Sequence, residues 1–146
     1  MTSNDIQQMI KRAIQAKDSA YAPYSNHPVG ACIMTENGQI FAGANVENAA
    51  YPLSRCAEST AIGNMVLGGS DKDDGARIIT KIVVVGPGYE ACTPCGGCRQ
   101  SLREFASSEA IVYVCDKDGK VMLETDFSAL LPHSFGPDNV KEVNPQ

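Results

Sequence analysis

Features that direct proteins to membranes or nucleic acids are missing from this sequence of 146 residues. No apolar run approaches the roughly 20 residues that cross a bilayer, and the first residues are too polar for the core of a secretory signal. The net charge is -5 and the pI is near 4.9, so no broad basic surface is available to hold a phosphate backbone. We therefore expect a cytoplasmic protein that binds neither membranes nor nucleic acids.

Low-complexity runs, internal repeats and long linkers are also missing from the sequence. Apolar residues make up 43% of the chain and charged residues 20%, which supplies enough apolar material for a packed core and argues against a disordered acidic tail. The length suits one compact domain. We predict a single domain over residues 1–146, with a flexible tail from about residue 138 to residue 146.

Hydrophobic periodicity predicts the order α-β-β-α-β-α-β-β-α, with Asn4 or Asp5 as the first helix cap. Asn37-Gly38 is a strong hairpin signal, so the first two strands should be antiparallel. The turn over residues 116–119 is too short for a crossover, so the last strand should also return antiparallel. This order indicates an α/β protein with a mixed five-stranded sheet flanked by helices. The predicted elements are helix 5–20, strands 29–35 and 39–44, helix 56–67, a loop at 70–75, strand 78–85, helix 95–106, strands 111–115 and 120–123, and helix 127–131.

Cysteine is unusually frequent, with six residues, three of them within residues 92–98. In a reducing compartment, clustered cysteines are more often metal ligands or catalytic groups than disulfides. Cys56 and Cys95 each open a predicted helix, and helix dipoles favour thiolates at such positions. Cys95 and Cys98 lie one turn apart, so both can bind one zinc ion at about 2.3 Å, with Cys56 as the third ligand.

Three protein ligands leave the fourth tetrahedral position open for water, which is typical of a catalytic zinc site. Glu58 can reach that water without being a ligand and can carry its proton. The alternatives are ordinary buried thiols, or a structural zinc site closed by Cys92. A site closed by a fourth cysteine would have no bound water, so Glu58 would have no catalytic role there. We expect Cys92 to be a loop thiol near the site, and Cys32 and Cys115 to be core residues.

The pattern Cys56-Ala57-Glu58 followed by Pro94-Cys95-Gly96-Gly97-Cys98 resembles the signature of zinc-dependent nucleoside and nucleobase deaminases. Further segments over roughly residues 6–140 resemble the small homotetrameric cytidine deaminases. These segments are 22–25, 29–31, 43–52, 94–100 and 130–137. The resemblance implies a three-layer α-β-α cytidine deaminase-like fold, with a mixed five-stranded sheet whose last strand is antiparallel.

The same resemblance implies an activity and a metal. One Zn²⁺ per subunit would be bound by Cys56, Cys95 and Cys98, and its hydroxide would attack C4 of cytosine. Glu58 would take protons from this water and deliver one to N3 and one to the departing amine. The expected reaction is hydrolysis of cytidine and 2'-deoxycytidine to uridine and 2'-deoxyuridine plus ammonia, in pyrimidine salvage.

The resemblance also suggests how substrate is held. Asn45 and Glu47 match positions that hydrogen-bond the ribose hydroxyls, and the backbone of Ala57 matches the group that reads the base edge. Phe135 matches an aromatic residue that reaches a neighbouring subunit's substrate, so a homotetramer with sites completed across interfaces is implied. The remaining candidate substrate contacts are His27, Tyr24 and Tyr51.

Two positions depart from the family pattern. His27 stands where a phenylalanine usually stacks on the pyrimidine, and we expect His27→Phe to tighten base binding unless the histidine has its own partner. Ser59 stands where an arginine often offsets the thiolate charge. Helix amides, together with Arg55 or Arg99, are the candidates for that role.

Three other functions remain open at the level of sequence. His27 is compatible with a deaminase of a nucleoside analogue of the blasticidin S type, whereas Asn45-Val46-Glu47 favours a plain ribose. A nucleic-acid editing deaminase would need a basic groove that this acidic chain lacks. A noncatalytic, zinc-stabilised interaction module would have a closed four-cysteine site and would not depend on Glu58.

Overall fold

The computed structural model of the protein describes residues 3–69 and 75–143. Most of the loop predicted at 70–75, and the last three residues, lie outside the described part. The helices are α1 (Asn4–Asp18), α2 (Ala57–Gly68), α3 (Gly96–Arg103), α4 (Phe127–Leu130) and α5 (Pro137–Val143), with a 3-10 turn at Tyr51–Leu53. The strands are β1 (Gly30–Thr35), β2 (Ile40–Ala44), β3 (Ile79–Val85), β4 (Ala106–Cys115) and β5 (Val121–Asp126).

All five strands form one sheet in the order β2-β1-β3-β4-β5. Strand β1 pairs antiparallel with β2 and with β3, while β3 and β4 are parallel and are joined through α3. Strand β5 returns antiparallel to β4. The predicted mixed sheet with an antiparallel last strand is therefore confirmed. The hairpin turn uses Gly38 at a φ of 87°, a conformation that glycine adopts without steric cost.

Alternate residues of the central strands point to opposite faces of the sheet. One face, here called the α1 face, packs residues such as Val83 and Val85 against α1. The opposite face, here called the site face, packs Ile82 and Val84 against α2, α3 and α4. Both strand faces are buried, which gives the continuous apolar run at the centre of β3. The three-layer α-β-α arrangement follows from this double coverage.

Several boundaries differ from the predictions. Ser3, rather than Asn4 or Asp5, caps α1 and accepts a hydrogen bond from the Ile6 amide. Strand β4 begins five residues before the predicted start at residue 111, because the backbone of Ala106 pairs with Ile79 before an irregularity in the ladder. The polar residues 107–109 hide this extension from a hydrophobic pattern.

Helix α5 covers Pro137–Val143, so it includes part of the tail predicted over residues 138–146, of which residues 144–146 lie outside the described part. Proline suits the first position of a helix, where its missing N–H has no intrahelical partner. The Asn139 side chain accepts a hydrogen bond from the Gly136 amide at 2.8 Å and closes the turn that leads into this helix. Within the described residues, no helix has the length and apolar character needed to cross a membrane.

Candidate active site

Two helix N-termini meet on the site face and bring three cysteines together. Cys56 is the N-cap residue of α2 and Cys95 is the N-cap residue of α3. The Sγ atoms of Cys56, Cys95 and Cys98 all lie within 4.8 Å of one another, and those of Cys95 and Cys98 are 3.4 Å apart. The Cys98 amide also points at the Cys95 sulfur, at 3.4 Å. The sequence-predicted ligand set thus occupies one point in space.

The donor set of this cluster fits zinc. Three thiol sulfurs at mutual distances of this size can share one tetrahedral ion, which leaves one position open. Within the described residues, Cys92 and every other His, Cys, Asp or Glu side chain lie outside this three-cysteine group. The arrangement therefore favours an open site over the closed four-cysteine alternative.

The protonation of the thiols follows their surroundings. Burial is the main cause that raises the pKa values of Cys56 and Cys98. Burial also acts on Cys95, but hydrogen bonds from the Cys98 amide and from the two neighbouring thiols outweigh it and lower the pKa of Cys95. The helix N-terminus thus makes Cys95 the thiol of the three that ionises most readily.

Glu58 lies in the first turn of α2, two residues after the Cys56 cap. Its side chain is only 4% exposed, and burial raises the pKa of this carboxyl group. A carboxyl with a raised pKa takes up and releases a proton more readily near neutral pH. Ala57 beside it is fully buried and lines the same cavity as Glu58.

A cavity of about 370 Å³ opens over this cluster and joins most of the sequence-predicted site residues. Its volume is in the range of small-molecule sites. The three cysteines and Glu58 lie together, and Asn45 and Glu47 line the same cavity. The complete lining is Ser25, His27, Val29, Asn45, Glu47, Cys56, Ala57, Glu58, Val84, Cys92, Thr93, Cys95 and Cys98.

Asn45 and Glu47 organise the segment that borders the cavity. Asn45 accepts a hydrogen bond from the Val29 amide at 2.8 Å and donates one to the His27 carbonyl at 3.0 Å. Glu47 accepts hydrogen bonds from the hydroxyl and the amide of Ser25 and from the Tyr24 amide. The Ser25 hydroxyl bond is the largest cause that lowers the pKa of Glu47, so this side chain is a firmly held carboxylate.

The three aromatic candidates lie away from this cavity in the single chain. The rings of Tyr24 and Tyr51 are 5.7 Å apart and line an adjoining pocket that shares Ser25 and Glu47 with the cavity. Phe135 is 62% exposed and lies in a separate groove beside Gln100. The chain alone does not bring Phe135 to the cavity, so its predicted contact requires another subunit.

The two arginine candidates for charge compensation have different surroundings. Arg99 is occupied by backbone carbonyls, at 2.7 Å from Pro94 and 2.9 Å from Leu130. Arg55 also donates to backbone carbonyls, at 3.4 Å from both Leu53 and Ser54, but it lines a pocket together with Ser59 and the three cysteines. The Ser59 hydroxyl donates to the Cys56 carbonyl at 2.9 Å. The geometry favours Arg55 over Arg99.

Sequence reasoning missed four lining residues: Ser25, Val29, Val84 and Thr93. Ser25 belongs to a segment that the resemblance included, and its position beside Tyr24 was the available signal. Val84 reads as an ordinary core residue in an apolar strand. No pattern along the chain shows that its strand end also borders the cavity.

A three-layer α-β-α fold places three cysteines and a buried glutamate at two helix N-termini. This set of residues matches the zinc site of the zinc-dependent deaminases. The family model for the cytidine and deoxycytidylate deaminase zinc-binding region matches residues 3–115. The chain belongs to this family.

Relatives of similar length support the assignment. The chain is 36% identical over 136 residues to a cytidine deaminase of Sporosarcina psychrophila, covering 93% of this chain and 95% of that protein. It is 37% identical to a cytidine deaminase of Halalkalibacterium halodurans, covering 94% of this chain and 99% of the relative. The crystal structure of cytidine deaminase from Burkholderia pseudomallei superposes with a TM-score of 0.78 and 38% identity, covering 92% of this chain and 100% of that one. The predicted fold class is confirmed.

Proposed function

We propose that this protein hydrolyses cytidine and 2'-deoxycytidine to uridine and 2'-deoxyuridine, with release of ammonia. The observation that carries the proposal is the single cavity that joins Glu58 and the cysteine cluster to Asn45 and Glu47. One end offers groups for hydrolysis, and the other offers an amide and a carboxylate for a sugar diol. The similarity to cytidine deaminases supports this choice of substrate.

Cys56, Cys95 and Cys98 would hold one Zn²⁺. A zinc ion there supplies Lewis-acid activation of a water molecule. Glu58 accepts one proton of that water and delivers it to N3 of the base. It then transfers the second proton, from the hydroxyl group formed at C4, to the departing amine, which leaves as ammonia. Its burial suits this role, because a raised pKa allows the carboxyl group both to accept and to donate.

Asn45 and Glu47 would fix the sugar so that C4 of the base faces Glu58. The amide of Asn45 can donate and accept, while the ionised Glu47 accepts only, so the pair can hold a sugar hydroxyl group that both donates and accepts. The backbone of Ala57 lies in the cavity and would read the edge of the base. Such positioning lowers the entropic cost of reaching the transition state.

We further propose a homotetramer that acts in pyrimidine salvage in the cytoplasm. Tyr51 is 69% exposed and Phe135 is 62% exposed. Large exposed aromatic side chains favour a subunit interface. Phe135 from one subunit would then complete the cavity of its neighbour. Sedimentation of the wild-type protein and of Phe135→Ala tests the assembly, and KM for cytidine in a tetrameric Phe135→Ala variant tests the shared site.

Conversion of cytidine to uridine, followed by ultraviolet absorbance with zinc-loaded protein, tests the reaction directly. We expect turnover in the wild type and a loss of about 10²- to 10⁴-fold in kcat for Glu58→Gln, because the proton carrier is removed. Glu109→Gln is the matched control, since Glu109 is an exposed residue of β4 outside the cavity. Full activity in Glu58→Gln, or no conversion of either nucleoside by zinc-replete wild type, would contradict the proposal.

A further inference from the structure

His27 and Cys92 form a side-chain pair that the reaction described above does not use. The Nε2 atom of His27 lies 3.6 Å from the Sγ atom of Cys92, a hydrogen-bonding contact for sulfur. Both residues line the cavity. Within residues 3–69 and 75–143, the Cys92 thiol is the only hydrogen-bond partner of the His27 imidazole.

The backbone of His27 is fixed from the end of the cavity assigned to the sugar. Its N–H donates to the Ser25 hydroxyl at 3.1 Å, and its carbonyl accepts from the Asn45 amide at 3.0 Å. The Ser25 hydroxyl itself donates to Glu47. His27 is therefore anchored by the same groups that would bind the ribose.

Cys92 lies close to the residue that follows β3. Gly86 follows β3, and a Cβ atom added there would lie 2.5 Å from the Cβ atom of Cys92. A glycine is therefore needed for the loop to hold Cys92 so close to the strand. Burial, followed by the nearby Glu58 carboxylate, raises the pKa of the Cys92 thiol. Cys92 thus lies on the Glu58 side of the cavity as a neutral thiol.

The pair links two parts of the cavity, because the His27 carbonyl accepts a hydrogen bond from Asn45 and Cys92 lies near enough to Glu58 to feel its charge. A base whose sugar contacts Asn45 while its C4 faces Glu58 would therefore lie beside this pair. An imidazole on a fixed backbone still rotates about its side-chain torsions. A hydrogen bond to one ring nitrogen selects both the orientation and the tautomer of the ring.

We infer that Cys92 is a positioning residue that orients the His27 imidazole against the cytosine base and thereby sets the affinity for that base. This inference rests on the proposed deaminase function. Because His27 is hydrogen-bonded to Cys92, its ring acts together with this thiol and does not simply replace an apolar ring.

A double-mutant cycle on the zinc-loaded protein tests the inference, with KM and kcat for cytidine as readouts. We expect Cys92→Ala to raise KM about two- to tenfold, the range of one net hydrogen bond, with a smaller change in kcat. Cys92→Ser should recover most of the affinity, because a hydroxyl can replace the thiol as a partner. In a His27→Phe background, Cys92→Ala should leave KM nearly unchanged, since phenylalanine makes no such hydrogen bond.

A second readout does not depend on turnover. The chain has two histidines, so long-range ¹H–¹⁵N NMR spectra can be assigned by comparison with His27→Phe. At alkaline pH, where imidazole is neutral, we expect one tautomer of His27 in the wild type and in Cys92→Ser. Cys92→Ala should give a mixture of tautomers. Gly86→Ala, which displaces Cys92, should resemble Cys92→Ala.

Two results would overturn the inference: an equal rise in KM in both backgrounds, or a single unchanged tautomer in Cys92→Ala. Wild-type protein that fails to convert cytidine would instead contradict the proposed function. In that case the NMR spectra would still decide whether Cys92 orients His27, so the two failures can be told apart.

Discussion

The two faces of the sheet are each covered by helices and each carry cysteines, yet the cysteines differ in what they can do. On the α1 face, Cys32 and Cys115 are fully buried among apolar side chains. On the site face, Cys56 and Cys95 cap α2 and α3, and Cys98 follows in the first turn of α3. The same residue type fills space on one face and forms a candidate metal centre on the other.

The surroundings of each thiol explain the difference. Burial raises the pKa of Cys32 to about 12 and that of Cys115 to about 11, so both remain neutral packing groups at neutral pH. Cys95 instead accepts a hydrogen bond from the Cys98 amide at a helix N-terminus, and this bond helps to lower its pKa. Helix starts that converge on one point, rather than cysteine content, turn one face of this sheet into a site.

The largest difference between the two faces should appear when one cysteine is removed from each. We expect Cys56→Ala to lose bound zinc and all turnover, because two thiol ligands are left for the ion. Cys115→Ala should keep one zinc per subunit and full turnover, at a cost of about 1 kcal/mol in the free energy of unfolding. Metal analysis measures the bound zinc of each variant, and chemical denaturation measures its free energy of unfolding. Zinc retained in Cys56→Ala would show that Cys56 is not a ligand.

A second test uses the glycine at which a helix approaches the sheet on each face. A Cβ atom at Gly43 would lie 2.4 Å from the Ala61 amide nitrogen of α2, and one at Gly30 would lie 1.9 Å from the Ala13 carbonyl oxygen of α1. Either change to alanine should cost about 1–3 kcal/mol of stability through overpacking.

Only the change on the site face should also affect the reaction. Gly43→Ala displaces α2, which carries Glu58, and a shift of this kind can lower kcat by about 10²-fold. Gly30→Ala should leave kcat of the folded fraction close to that of the wild type. Unfolding curves and kinetics on the two variants check this, and equal kinetic losses in both would contradict a local role for α2.

A third test concerns one arginine beside each group of cysteines. Arg55 lines a pocket with the three-cysteine cluster, and Arg12 acts electrostatically on the buried Cys32. We expect Arg55→Ala to weaken zinc affinity about tenfold, as loss of a supporting group near a metal site does. Arg12→Ala is the matched control and should leave zinc affinity unchanged. Competition with a chelator measures both, and an unchanged affinity in Arg55→Ala would refute charge compensation by this residue.

The smallest expected effect is the acid dependence contributed by Glu47. Its hydrogen bond from Ser25 holds the pKa below the ordinary value of 4.5, so the folded state favours the ionised form. The resulting stability is present above that value and is lost as the pH falls through the lowered pKa. Thermal melts across this range should fall less steeply for Glu47→Gln than for the wild type or Glu109→Gln. Identical slopes would show that this bond contributes no stability.

Sequence patterns predict much of the sheet and the cysteine cluster because these depend on local signals. Asn37-Gly38 marks the first hairpin, and the apolar run of β3 marks a central strand. The cluster is predictable because Cys56 and Cys95 each stand at a helix start. Chain order alone is enough to bring such positions to one side of the sheet.

Other features depend on contacts that no local pattern records. The early start of β4 at Ala106 is set by pairing with Ile79 rather than by its own polar residues. The contact between His27 and Cys92 joins two loops that are far apart in the sequence. It also depends on Gly86, where a side chain would collide with Cys92. Tyr24, Tyr51 and Phe135 lie outside the cavity in the single chain, and no local pattern marks this.

We propose that Cys56, Cys95 and Cys98 form an open zinc site on the site face. X-ray absorption spectroscopy of the zinc-loaded protein tests it most directly, because it counts the sulfur and light-atom neighbours of the metal. We predict three sulfurs at about 2.3 Å and one oxygen or nitrogen, unchanged in Cys92→Ala. Four sulfurs in the wild type, reduced to three in Cys92→Ala, would contradict the account and indicate a closed structural site.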